Sequence, residues 1–110
     1  MRSIVIDELR PPDMEKLIGH LEATLGSSGL PDVFWLQVPE DLLTPAQREH
    51  PDCGPHRVAV VLELDSLKLE LLVRASQSLR CSCTGYADDS QREWLIAYVD
   101  ELIQQLELQT

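Results

Sequence analysis

Between residues 57 and 74 the chain alternates apolar and polar residues with a period of two on either side of a short polar break, a pattern that demands a β-hairpin. On the first arm Val58, Val60, Leu62 and Leu64 alternate with Arg57, Ala59, Val61 and Glu63. On the second, Leu67, Leu69, Leu71 and Val73 alternate with Lys68, Glu70, Leu72 and Arg74. A two-residue turn at Asp65-Ser66 sets Leu64 opposite Leu67, so both apolar sets land on one face. The same register sets Glu63 opposite Lys68, a favourable cross-strand pair. A third antiparallel strand is expected over residues 79–84, with Leu79, Cys81 and Cys83 on the core side and Arg80, Ser82 and Thr84 on the other.

The flanking segments supply helices to cover that core face. Residues 3–8 read as a short strand. Pro11, Pro12 and Asp13 then open a helix with Asp13 as its cap, an apolar stripe of Met14, Leu17, Ile18, Leu21 and Leu25, and Gly26 as its stop. His20 falls on the polar side as a solvated histidine. Residues 33–38 are β-rich; paired with the first strand, they would make a parallel pair through a right-handed crossover. Residues 39–56 form an irregular connection with four prolines, in which Thr44-Pro45-Ala46-Gln47 has the spacing of a capping box. The last helix is expected to start at Ser90, with a Ser90–Glu93 capping box and a stripe of Leu95, Val99, Leu102 and Leu106. At 110 residues the chain suits one domain spanning residues 1–110. The expected fold is α+β in two layers: a mixed or antiparallel sheet of four or five strands with two helices on one face, in the order β-α-β-loop-β-β-β-α.

Charge and motif content narrow the function. A net charge of −10 repels phosphate backbones and anionic lipid, so neither nucleic acid nor a membrane surface is expected as partner. The apolar run Ile4-Val5-Ile6 is too short for a signal-peptide core and nothing approaches a membrane span, which reads as a cytoplasmic protein. Its three cysteines, an odd number, should then be reduced. There is no glycine-rich phosphate loop, no G-x-S-x-G and no H-E-x-x-H, so a non-catalytic role is favoured over an enzyme.

The order helix, three antiparallel strands, helix over residues 13–106 resembles the topology of double-stranded-RNA-binding domains. Such domains carry phosphate-binding lysines at the start of their second helix. Here that place reads Asp88-Asp89-Ser90-Gln91-Arg92-Glu93, so neither those residues nor the family is carried over.

Two candidate sites remain. With helices on one side, the outer sheet face presents Arg57, Val61, Lys68, Leu72, Arg74 and Arg80, an apolar centre with a cationic rim on an acidic molecule. This is the favoured site, for a protein partner or for self-association, and it needs no cofactor. The alternative is zinc. Cys53-Gly54-Pro55-His56 is a C-x2-H pair that Cys81 and Cys83 could complete to a Cys3His set, with His50 able to replace His56. On a straight strand, however, Cys81 and Cys83 would stand roughly 6.6 Å apart, against about 3.8 Å between sulfurs on one zinc ion. The thiols are therefore expected as small buried hydrophobes beneath the last helix.

Overall fold

The computed structural model describes residues 2–78 and 81–110. It is an α+β structure with one open, six-stranded antiparallel sheet and three α-helices. β1 (Ser3–Ile6) leads into α1 (Pro11–Leu25) and β2 (Val33–Gln37). A connection with the single turn α2 (Pro45–Arg48) and two short 3-10 turns then leads to β3 (His56–Leu62). β4 (Leu67–Glu70), β5 (Leu72–Ala75), β6 (Gly85–Tyr86) and α3 (Asp89–Gln105) complete the chain.

β3 is the central strand. β2 lies on one of its edges, and β4 and β5 follow one another along the other. β1 and β6 line the far sides of β4 and β5. β1 and β2 do not pair with one another, so no parallel pair forms and the sheet is antiparallel: each finds a partner that matches its apolar side chains to the core. Ile4 and Ile6 stand beside Leu69 and Leu67, and Phe34 and Leu36 beside Val60 and Val58. These side chains pack with Leu17 and Leu21 of α1 and Leu95, Val99 and Leu102 of α3 in one core, so both long helices cover the same sheet face.

The hairpin keeps its faces but shifts its register. Leu62, not Leu64, stands opposite Leu67, and Leu64 sits almost fully exposed at the tip. The slip is two residues, and an even slip leaves every side chain on its original face. Glu63 still reaches Lys68, at 3.6 Å along a diagonal. At the far end the expected register holds, with Arg57 opposite Arg74 and His56 opposite Ala75. Between these two registers Glu70, Leu71, Leu72 and Val73 face only Val58 and Ala59, so the return arm bulges. At the bulge Leu71 turns its backbone outward, donating its N–H to Arg2 O and accepting from Ala87 N–H, which seats β1 and β6 side by side.

Helix starts differ from expectation in an informative way. Asp88, not Ser90, caps α3: its carboxylate accepts from Gln91 N–H while Gln91 Oε1 accepts from Asp88 N–H. Arg10 is the cap residue of α1, and Asp13 lies within the first turn with no exposed surface. Its Oδ2 accepts from Gln109 N–H at 3.0 Å and from Arg10 Nε at 3.4 Å, tying the C-terminal segment to α1. The Thr44–Gln47 capping box and the Gly26 stop form as expected.

The Gln109 N–H, aided by Arg10 and Lys16 and opposed by burial, holds the Asp13 carboxyl below its ordinary pKa of 3.8. A folded-state value below the unfolded one means that the contribution is complete above about 3.8 and is lost as pH falls through the folded value. Asp13→Asn is therefore expected to melt below the parent at pH 7. The gap between the two melting curves should close as pH falls below 3.8. A gap independent of pH would mean that the carboxylate charge is not what holds the C-terminus.

Candidate metal centre

The C-x-C segment is a turn and not the expected third strand. Thr84 N–H donates to Cys81 O, closing a reverse turn over residues 81–84, and Cys81 N–H donates to Ser78 O. The place on the sheet beside β5 is taken instead by Gly85 and Tyr86. Thr84 Oγ1 accepts the Ala75 N–H, closing the end of β5. Leu79 and Arg80 lie outside the described residues. The turn removes the geometric objection to a shared metal, because side chains two residues apart converge on a turn where an extended strand spaces them along one face.

This loop docks on the connection between β2 and β3. Gln77 N–H donates to Cys53 O at 3.1 Å, and the buried Gln47 Nε2 donates to Cys83 O at 3.4 Å. Gln47 Oε1 in turn accepts from Thr44 N–H and from Gln91 Nε2, and Gln91 Nε2 also reaches Leu42 O at 2.9 Å. One polar chain thus runs from the start of α3 through α2 to the backbone of the C-x-C turn. Buried amides with their hydrogen bonds satisfied fix geometry, because any displacement strands a polar group.

The docking brings His50, Cys53, Cys81 and Cys83 together, with one donor atom from each lying within 4.8 Å of all the others. His50 Nδ1 is 2.8 Å from Cys81 Sγ. His50 is the residue that precedes the 3-10 turn Pro51–Cys53, and Cys53 is the last residue of that turn. His56, the expected histidine, starts β3 and lies buried against the cluster, its Nε2 3.4 Å from Cys83 Sγ. On a bound metal ion Cys83 would be a thiolate able to accept from His56 Nε2–H, and Cys83 N–H points at Cys81 Sγ, 3.5 Å away. Such N–H donors are what a charged thiolate centre requires around it.

The three thiols differ. The Cys83 backbone N–H, with the neighbouring thiols and His50, brings Cys81 down to about 6. Burial, followed by the proximity of Cys81 and Cys53, pushes Cys83 up to about 12. Cys53 is raised, chiefly by its hydrogen bond with Cys81. Burial, then the charge of His50, lowers His56, which keeps that imidazole neutral. All three cysteines are free thiols.

A cavity of about 550 Å³ adjoins the cluster, with Glu40, Gln47, Arg48, Gly54 and His56 among its walls. None of the four donor residues lines it. His56 both lines the cavity and lies 3.4 Å from Cys83 Sγ.

Of the other expected site residues, Arg57, Val61, Lys68, Leu72 and Arg74 are half-buried on the outer sheet face, and Arg80 is outside the described residues. Gln47 and Gln91 were missed as positioning residues. Their signal was present in the capping-box spacing, but a cap pattern does not say what else the amide will hold. Compared with protein-family models, with curated proteins and with solved structures, the chain matches none. Among the described residues no helix is long and apolar enough to cross a membrane.

Proposed function

We propose that this protein holds one zinc ion through His50 Nδ1 and the sulfurs of Cys53, Cys81 and Cys83, and that the ion is structural in a non-catalytic module. The observation that carries the reading is the convergence of these four donors from two separate loops to within 4.8 Å. Three sulfurs and one imidazole nitrogen make a standard tetrahedral zinc set. Their soft, mixed character disfavours magnesium and calcium, which take oxygen ligands. Sulfurs within 4.8 Å of one another are about 1 Å from the roughly 3.8 Å separation set by a bond near 2.3 Å. Four protein ligands complete the tetrahedron and leave no position for water or substrate, which is the mark of a structural site. The centre would join two loops that are otherwise held by a few hydrogen bonds.

Protein purified without chelator is expected to carry about one zinc per chain by elemental analysis. Cobalt substitution should give thiolate charge-transfer bands and the intense d–d absorption of a tetrahedral site. Stoichiometric absence of any transition metal, together with failure of the apo protein to take up zinc or cobalt, would sink the reading.

A further inference from the structure

The outer sheet face, remote from the core helices, carries its own arrangement of charge. Lys68 is paired with Glu63 and Arg74 with Glu70. Arg57 and Arg2 have no carboxylate partner among the described residues, and each instead lies over an aromatic ring. Arg57 Cζ is 4.1 Å from the centre of the Trp35 ring, and Arg2 Cζ is 4.5 Å from that of Tyr86. Leu72 stands opposite Tyr86, and Ala59 opposite Trp35, so apolar surface separates the two stacked cations. Arg57 and Arg74 are direct cross-strand neighbours, a like-charged pairing that is unfavourable by itself. The Nε of each is covered and has no acceptor. A face that concentrates arginine on a chain of net charge −10, leaves two of its cations without a carboxylate and sets both over aromatic rings is arranged for an incoming anion.

We propose that this face binds an acidic segment of a protein partner, with carboxylates taken by Arg57 and Arg2, Arg74 adding positive charge beside Arg57, and an apolar side chain set against Leu72. Tryptophan, tyrosine and arginine are the residues that concentrate binding energy at protein interfaces, and stacking on a ring fixes a guanidinium before the partner arrives. Charge complementarity selects an acidic segment. The negative field of the rest of the molecule works against a polyphosphate that must extend beyond the patch. This inference is independent of the metal centre, since none of its residues touches the four donors.

The test uses the full chain as purified, isotopically labelled, titrated with a synthetic hexapeptide of glutamate and leucine. Saturable, salt-sensitive binding is expected, with the largest shifts at the Trp35 indole N–H and at the amides of Arg57, Leu72 and Arg74. The double variant Arg57→Glu, Arg74→Glu should bind at least tenfold more weakly, while Lys16→Glu, Arg92→Glu, an equal charge change on the helical side, should bind as the parent does. Shift mapping on the parent decides the question even where a variant folds poorly. Absence of saturable binding, shifts confined to other surfaces, or equal affinity for a lysine-leucine peptide would overturn the proposal. So would tighter binding of an oligothymidylate on this face, or a dimer of the free protein that Arg57→Glu dissociates.

Discussion

Cys53→Ser protein is expected to lose its zinc and to melt about 15 °C below the zinc-loaded parent. Linkage sets the size: a ligand present at a thousand times its dissociation constant stabilises the state it binds by about 4 kcal/mol. For a chain of this length each kcal/mol moves the melting temperature by roughly 4 °C. Cys53 is the informative position because it is only partly buried and lies in a 3-10 turn, whereas serine at the buried Cys83 would also disturb packing. The control is the parent stripped with chelator. Stripped parent and Cys53→Ser should then melt together, since the only difference between them is a sulfur with no metal to hold. Hydrogen exchange should speed up at Gln77 and Thr84, whose N–H groups bond across and within the docked loops, while Val60 and Leu69 in the central strands stay protected. A melting temperature indifferent to chelator would contradict a structural role for the ion.

Gln91→Ala is expected to cost about 3 kcal/mol, combining a buried cavity with stranded hydrogen-bonding groups. Gln91 has no exposed surface, and its amide serves Leu42 O, Gln47 Oε1 and Asp88 N–H together. Removing it unties α3 from the connection that presents His50 and Cys53. The variant should still bind zinc, because all four donors remain, but should release it to chelator faster than the parent. Ser90→Ala is the matched control. Ser90 is exposed and makes no cap, so its loss should stay within about 0.5 kcal/mol. Equal melting temperatures for the two variants would show that the amide network does not set the loop geometry.

The hairpin was legible because a period-two pattern carries its own proof. Val58, Val60, Leu62, Leu67, Leu69 and Val73 are buried as the alternation requires, even though the tip moved from Asp65-Ser66 to Leu64-Asp65. The bulge at Glu70–Leu72 was not legible. It exists because β1 and β6 share one edge of the return arm, and that edge is assembled from segments more than ten residues away in either direction. Gly85-Tyr86 and the turn before it were misplaced for a related reason. The alternation at Cys81, Ser82 and Cys83 suits a strand as well as it suits a turn, and hydrogen bonds to a distant loop accompany the turn.

The metal set divides along the same line. Cysteine spacing brought Cys53, Cys81 and Cys83 forward as candidates, with His56 as the expected fourth ligand and His50 as its substitute, whereas the four donors that converge include His50. Residue type alone cannot make that choice, because both histidines lie within three residues of Cys53. The backbone made it. His56 belongs to β3, where strand alternation sends its side chain into the interior beside Cys83, while His50 precedes the Pro51 turn and reaches Cys81. By itself, then, the sequence determined which side chains of the paired hairpin strands face the core and which face outward, since that parity is local and survives a shifted register. Only the tertiary structure decided which loops meet, because closing residues 50–53 onto residues 81–83 depends on a sheet edge, a bulge and a buried amide chain that no short window of sequence contains.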